Sequence, residues 1–173
     1  MKTIETTITY LQMNSVPDLA NVPSPKGEHV LMKLKKPTLA YYKYLYSAVG
    51  GAWLWWERNE MEEEKLKSII KDPAVFIFVL YVDGGPGGYF ELDYREAPEM
   101  ELAYFGLIPE LIGKGYGKYL INAAIREAWS HDLSRFWVHT CNLDHPNAIN
   151  LYQKAGFKLY NQHTELINDP RVV

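Results

Sequence analysis

A short glycine-rich segment, Gly113-Lys114-Gly115-Tyr116-Gly117, has residue types that suit the binding of an anion. Alternate glycines let the backbone approach a ligand closely, and the segment opens an amphipathic stretch, residues 115–130, that predicts a helix. Free N–H groups at the start of a helix point toward a bound phosphate. The segment therefore indicates a phosphate-binding loop, although a glycine-rich helix entry without a ligand fits the same residues.

A second motif begins thirty residues after Gly117, in the segment Asn147-Ala148-Ile149-Asn150-Leu151-Tyr152-Gln153-Lys154-Ala155-Gly156-Phe157. Its asparagine, tyrosine, lysine and closing Gly-Phe pair fall on a short predicted helix and on the start of a strand. The two motifs together resemble those of the GNAT superfamily of N-acetyltransferases, which combine a Q/R-x-x-G-x-G/A loop with a later segment of this kind. Gly115 and Gly117 match the two family glycines, whereas Ile112 replaces the usual Gln or Arg.

The resemblance implies an α+β fold with a central, mostly antiparallel sheet flanked by helices, and acetyl-CoA as the cofactor. It implies that the pyrophosphate lies on the backbone N–H groups of residues 113–117, where the helix dipole favours an anion. The pantetheine arm would run beside residues 105–107, where two strands diverge. The cofactor-binding residues implied in this way are Phe105, Gly106, Leu107, Gly113, Lys114, Gly115, Tyr116, Gly117, Lys118, Asn147 and Tyr152.

Acyl transfer to an amine also needs a base and an acid, and the resemblance implies Glu101 and Tyr152 for these roles. A phenol is a competent proton donor to a departing thiolate. Strand alternation puts Glu101 on the same face as Ala103, Phe105 and Leu107, where partial burial would raise its pKa. The alternatives are a tyrosine that only packs against the last strand and a carboxylate that is only solvated.

Two histidines and the single cysteine complete the set of reactive side chains near the predicted strand 136–140. His139 and His145 are candidates for contact with the acceptor or for proton relay, and a structural histidine is the alternative for each. Cys141 lacks an obvious base and orienting group, so we expect direct attack by the amine rather than a cysteine nucleophile. No cysteine and histidine cluster has zinc spacing, and we expect no metal.

Aromatic residues make up 14% of the chain, and three tryptophans, Trp53, Trp55 and Trp56, fall within four positions. They cannot all face inward on a regular helix, so at least one is expected to reach a groove or a partner. In the related family this connection borders the acceptor side of the cleft, which makes the three tryptophans candidate substrate-binding residues beside His139. Tyr42 and Tyr46 are expected to pack in the core, and core or dimer packing remains the alternative for the tryptophans.

The periodicity of the chain supplies the elements that must position these residues. Helices are predicted over residues 38–49, 59–71, 115–130 and 146–155. Strands are predicted over residues 3–13, 30–34, 74–82, 88–94, 100–108 and 136–140, with a last strand near residues 158–160. The order fits the related family from about residue 29 to residue 160, and residues 3–13 are expected to extend this core or the sheet of a partner.

Composition limits the function classes. A chain of 173 residues with a net charge of −3 is expected to form one domain, residues 1–173, and to bind neither nucleic acid nor membrane by charge alone. No secretory signal or membrane-spanning run is apparent, so we expect a cytoplasmic protein, and a homodimer is an open alternative.

The predicted function is acetyl transfer from acetyl-CoA to a small-molecule or peptide amine. The alternatives are an acyl-CoA-binding sensor without turnover and an unrelated nucleotide-binding domain.

Overall fold

The fold is described from a computed structural model, which covers residues 2–19, 21–169 and 171. One mixed sheet and its flanking helices form the structure. The strands are β1 (Thr3–Met13), β2 (His29–Lys33), β3 (Val75–Val82), β4 (Gly85–Asp93), β5 (Glu99–Leu107), β6 (Arg135–Cys141) and β7 (Lys158–Asn168). The helices are α1 (Leu39–Gly50), α2 (Glu57–Glu60), α3 (Glu63–Ile70), α4 (Tyr116–Ala128) and α5 (Ala148–Lys154), with short 3-10 turns at Gly51–Trp53 and Pro109–Leu111.

The seven strands lie in the order β2-β3-β4-β5-β6-β1-β7, and all neighbours are antiparallel except β5 and β6. The α+β prediction with a mostly antiparallel sheet is confirmed. The N-terminal strand, expected to extend the core, lies inside the sheet between β6 and β7. The last strand, expected near residues 158–160, runs to Asn168 because it pairs along almost the whole of β1.

Helices pack on both faces of the sheet. On one face, α4 packs its predicted stripe into a core with Phe90, Leu102 and Phe136. On the other face, α1 and α3 bury Tyr42, Tyr46 and neighbouring aliphatic side chains against β3 and β4. The stretch predicted as one helix over residues 59–71 is two helices, α2 and α3. The expectation that Tyr42 and Tyr46 pack in the core is confirmed.

An irregularity in β5 decides which face each of its side chains occupies. Glu101 pairs with Asp93 and Leu102 with Leu92, but the next pair joins Tyr104 to Glu91, so Ala103 is an extra residue in β5. Such a bulge reverses the alternation beyond it. The prediction that Glu101 shares a face with Phe105 and Leu107 is therefore wrong.

β5 and β6 separate soon after they meet. Their parallel pairing extends only from Glu99 and Arg135 to Glu101 and Trp137. Beyond that point Tyr104–Leu107 pair on the β4 side alone, as expected for two diverging strands. Among the described residues, no helix is long and apolar enough to cross a membrane.

Candidate active site

A cleft of about 630 Å³ opens where β5 and β6 diverge. It extends from the glycine loop at the start of α4, through the gap between the two strands, to the tryptophan-rich connection between α1 and α2. A volume of this size is typical of small-molecule sites. At the far end its floor continues across β1 and β7 through Thr6, Ile8, Glu165 and Ile167.

The glycine loop forms one end of the cleft. Gly113 and Gly115 have φ values of 82° and 89°, a left-handed conformation that glycine adopts without strain. A Cβ atom on either residue would meet nothing within 4 Å, and one on Gly117 would meet only Leu151 at 3.9 Å. Side chains there would fill the cleft rather than the protein core. Gly115 is also the N-cap of α4, and no side chain caps this helix start.

This loop fits a diphosphate group. The first N–H groups of α4 have no acceptor within the helix, and the helix dipole makes the position favourable for negative charge. Lys118 adds a cationic side chain to the lining, and Ile112 contributes an apolar one. The side chain of Tyr116 points away, since its hydroxyl donates a hydrogen bond to the Lys26 carbonyl at 3.1 Å. Lys114 lies outside the main cleft, beside a separate depression.

Tyr152 lines the middle of the cleft from α5 and is almost completely buried. Its ring lies edge-on to Phe105 and Phe157, with centroid distances of 6.0 and 5.9 Å. Burial, assisted by the negative charge of Asp144, raises the pKa of the phenol above its usual value. The hydroxyl is therefore protonated at neutral pH and available as a donor.

Glu101 and His139 form a pair on the face that α1 covers in part. The Oε1 atom of Glu101 lies 3.0 Å from Nδ1 of His139. His139 lines the cleft, whereas Glu101 stands behind it. The hydrogen bond to Glu101 raises the pKa of the imidazole above its usual value, although burial opposes the shift.

All three tryptophans of the α1–α2 connection line the cleft, so the expectation that at least one reaches a groove is confirmed. Trp55 donates from Nε1 to Oδ1 of Asp144 at 3.1 Å. The other oxygen of Asp144 accepts from the Thr140 hydroxyl at 2.6 Å and from the Cys141 N–H at 3.0 Å. Asp144 thus ties the tryptophan-rich connection to the end of β6.

Trp53 and Trp56 occupy the outer part of the same wall. Trp53 packs edge-on against His145, with ring centroids 4.7 Å apart. Trp56 is more exposed. Trp55, by contrast, packs inward against Tyr46 and Tyr104 at centroid distances of 5.4 and 5.2 Å. Trp55 is therefore part of both the aromatic core and the wall of the cleft.

A buried ion pair supports this wall from below. Arg58 Nη2 lies 2.9 Å from Glu91 Oε1, and the Tyr42 hydroxyl donates to the other carboxylate oxygen at 2.5 Å. Burial raises the pKa of Glu91, while Arg58 and Tyr42 stabilise its charged form and oppose that effect. The guanidinium also lies 5.1 Å from the Tyr104 ring centroid, and Tyr104 donates to Glu57 at 3.1 Å.

Most of the residues singled out in the sequence meet in this cleft. The cleft-lining members of that set are Trp53, Trp55, Trp56, Phe105, Gly106, Leu107, Gly113, Gly115, Gly117, Lys118, His139, Asn147 and Tyr152. Glu101 adjoins the cleft through His139. Gly106, expected at the close approach of a ligand, also adjoins α1, since a Cβ there would lie 2.5 Å from a Val49 methyl carbon.

The sequence did not identify the residues of β1 and β7 that line the cleft, or the two carboxylates nearest the tryptophans. Thr6 and Glu165 face each other across the β1–β7 pair, and both line the cleft. Nothing in the local sequence of either strand indicates this, because the two residues are 159 positions apart. Glu57 directly follows Trp56, and Asp144 lies three residues after the end of β6. Their positions in the sequence therefore made both of them reasonable candidates for lining the cleft. No group of three or more metal-ligating side chains occurs in the described part of the chain.

The chain is similar in sequence to proteins of a known family. Residues 42–157 match the family described as Acetyltransferase (GNAT) family. The chain is 30% identical over 118 residues to "Uncharacterized N-acetyltransferase in pepI 3'region" of Lactobacillus delbrueckii subsp. lactis, a match that covers 64% of this chain and 68% of that protein.

Solved structures share the fold. A functionally unknown conserved protein from Staphylococcus epidermidis superposes with a TM-score of 0.64 at 14% identity, over 95% of this chain and 62% of that chain. This chain thus spans less than two thirds of that protein's length. An aminoglycoside acetyltransferase from an uncultured soil metagenomic sample, in complex with sisomicin, superposes with a TM-score of 0.60 at 15% identity, over 74% of this chain and 87% of that one.

Proposed function

The chain belongs to the GNAT acetyltransferase family, and from that premise we propose that it transfers an acetyl group from acetyl-CoA to the primary amine of a small-molecule or peptide acceptor. One observation carries the proposal. A single cleft joins a glycine loop suited to a diphosphate, a gap between two strands, a buried tyrosine and an open compartment of aromatic and acidic side chains.

The residues of the cleft divide into a cofactor half and an acceptor half. The N–H groups of residues 113–117 and the Lys118 side chain would hold the pyrophosphate. The unpaired edge of Phe105–Leu107 offers backbone hydrogen bonds to an extended amide-containing arm. Acetyl-CoA, when bound, supplies the thioester carbonyl carbon that the amine attacks.

The acceptor half favours a cation. Glu57, Asp144 and Glu165 line it, and Asp144 is hydrogen-bonded only to uncharged donors, so no cationic side chain pairs with it there. Trp53 and Trp56 offer ring faces that attract an ammonium group. The amine arrives protonated and must lose a proton before it can attack, because an ammonium nitrogen has no lone pair.

The proposed reaction uses two proton-transferring sites on the protein, a base and an acid, and two protons leave the nitrogen in all. The Glu101–His139 pair takes one proton from the ammonium, the nitrogen then forms the C–N bond as the C–S bond breaks, and Tyr152 protonates the departing sulfur. The nitrogen releases its second proton as the amide forms, and Tyr152 is reprotonated, so one proton passes to solvent per turnover. Burial raises the pKa of the Cys141 thiol, which supports direct attack rather than an acetylated cysteine.

Release of free thiol from acetyl-CoA tests this function. The purified chain is incubated with acetyl-CoA and a panel of amines, amino acids, polyamines and aminoglycosides, and the acetylated product is identified by mass spectrometry. We expect amine-dependent thiol release. Tight acetyl-CoA binding without release for any amine would instead favour the sensor, and equal stabilisation by ATP and CoA in a thermal-shift assay would favour an unrelated nucleotide-binding domain.

A further inference from the structure

His139 and Glu101 occupy neighbouring strands at the point where these strands begin to separate. The parallel pairing ends at Glu101 and Trp137, and His139 lies two residues farther along β6. Side chains two residues apart on a strand share a face, so His139 stands at the mouth of the gap. The side chain of His139 is 47% exposed and that of Glu101 is 23% exposed. An acceptor in the cleft therefore meets the imidazole before it meets the carboxylate.

The hydrogen bond between the two residues determines which ring nitrogen is basic. An ionised carboxylate only accepts hydrogen bonds, so the contact of 3.0 Å with Glu101 requires the proton on Nδ1. In the neutral imidazole, Nε2 then carries the free lone pair. Trp137 and Tyr10 pack against the ring at centroid distances of 6.1 and 5.9 Å and restrict its rotation. The basic nitrogen is held in one orientation.

The charged groups around His139 favour its protonated form. Glu101 on β5, Glu57 on α2 and Asp144 after β6 are the carboxylates that act on it, and Tyr10 is the titratable side chain that faces it from β1. Through its hydrogen bond, Glu101 contributes most to the raised pKa of the imidazole. A base whose pKa lies near the working pH is efficient in proton transfer.

We propose that Nε2 of His139 accepts the proton of the acceptor ammonium, and that Glu101 is a positioning residue that never contacts the amine. The N–H bond of the ammonium breaks, its electron pair stays on nitrogen as the attacking lone pair, and the new N–H bond forms on the imidazole. Glu101 stabilises the resulting imidazolium. The exposed edge of the ring then returns the proton to solvent. This inference rests on the proposed function, because it assigns one of its steps.

The test combines a pH profile with ring NMR. Thiol release from acetyl-CoA is measured from about pH 5.5 to about pH 9, on both sides of an ordinary histidine pKa, with tyramine, putrescine and alaninamide as the amines. The variants are His139→Gln, Glu101→Gln and a matched control, Glu99→Gln, whose carboxylate lies two residues earlier on β5 and pairs with Arg135. Long-range ¹H–¹⁵N spectra report the tautomer and the pKa of His139 without any need for turnover.

We expect kcat/KM of the unmodified chain to fall as the pH drops through a pKa above 6.5, because the base must be neutral to act. His139→Gln should lower kcat by about 10²- to 10⁴-fold and remove this limb of the profile. Glu101→Gln should keep the limb but move it to lower pH, since the carboxylate that raises the pKa is gone. In the spectra, the Nδ1–H tautomer should dominate unless Glu101 is replaced. Glu99→Gln should behave as the unmodified chain.

Three results would overturn the assignment. Unchanged kcat in His139→Gln would exclude the imidazole as the base. Loss of the limb in Glu101→Gln alone would make the carboxylate the base, and an Nε2–H tautomer in the unmodified chain would contradict the geometry. If the unmodified chain binds acetyl-CoA but releases no thiol with any amine, the proposed function itself fails and this inference with it.

Discussion

The buried pair of Arg58 and Glu91 should make a large and measurable contribution to stability. The Glu91 side chain is 0% exposed and that of Arg58 is 8% exposed, with 2.9 Å between their charged atoms. Replacing Glu91 by Gln keeps the shape and one acceptor oxygen, which can serve Arg58 or Tyr42 but not both, and it removes the charge. A guanidinium is then buried without its counter-charge, which typically costs 3–5 kcal/mol. Because Gln retains an acceptor oxygen, we expect about 3 kcal/mol, the lower end of that range.

The same substitution at an exposed pair provides the control. Glu99 Oε2 lies 2.7 Å from Arg135 Nη2, but the two side chains are 43% and 26% exposed. Solvent screens such a pair, so Glu99→Gln should cost less than about 1 kcal/mol. The free energy of unfolding is measured by urea titration with circular dichroism. For a domain of this size, a loss of about 3 kcal/mol corresponds to a decrease in Tm of about 6–12 °C.

A double replacement separates the charge effect from a packing defect. Arg58→Met combined with Glu91→Leu removes both charges together and should be much less destabilising than Glu91→Gln alone, or even stabilising. The reasoning is refuted if Glu91→Gln and Glu99→Gln lower the free energy of unfolding by amounts that agree within about 1 kcal/mol.

Three further substitutions address the cleft. Tyr152→Phe should lower kcat by about 100-fold while the calorimetric affinity for acetyl-CoA changes little, and unchanged turnover would reject Tyr152 as the acid. Gly117→Val places a branched side chain in the proposed pyrophosphate position and should weaken acetyl-CoA binding about tenfold or more, so retained affinity would contradict that site. In Gly50→Ala the new methyl group overlaps the Trp55 ring. The overlap should lower the free energy of unfolding by about 1–3 kcal/mol in a urea or thermal unfolding assay, and the displaced ring should raise KM for the amine. Gly51→Ala is the control, because a Cβ at that position meets nothing within 4 Å, and equal effects of the two changes would argue against the overlap.

The periodicity of apolar residues predicted the helices that bury one face, α1 and α4. The helical spacing of Tyr42, Leu45, Tyr46 and Val49 matches the buried side of α1. The apolar stripe of α4 is also buried throughout, at Tyr116, Leu120, Ile121, Ala124, Ile125 and Ala128. These patterns succeed because a helix packed on a sheet must be apolar on one side only. The glycine loop was equally visible, since its positive φ values require glycine.

The parts that failed depend on pairing between distant segments. Ten of the eleven residues of β7 are exposed, so no apolar alternation marks its length, and only β1 determines where it ends. The extra residue at Ala103 has no sequence signature, yet it turns Glu101 toward His139. For the same reason, the contribution of β1 and β7 to the cleft floor was not predictable.

The position of β1 between β6 and β7 also has a consequence for biosynthesis. Among the strands of this sheet β1 is made first, whereas its two neighbours are made last, more than 120 residues later along the chain. At about 5–20 residues per second, the ribosome releases them many seconds after β1 has emerged. Both backbone edges of β1 lack their native partners during that interval, and an unpaired strand edge is prone to pair with other extended chains. The sheet is completed only when β6 and β7 have emerged and pair with β1.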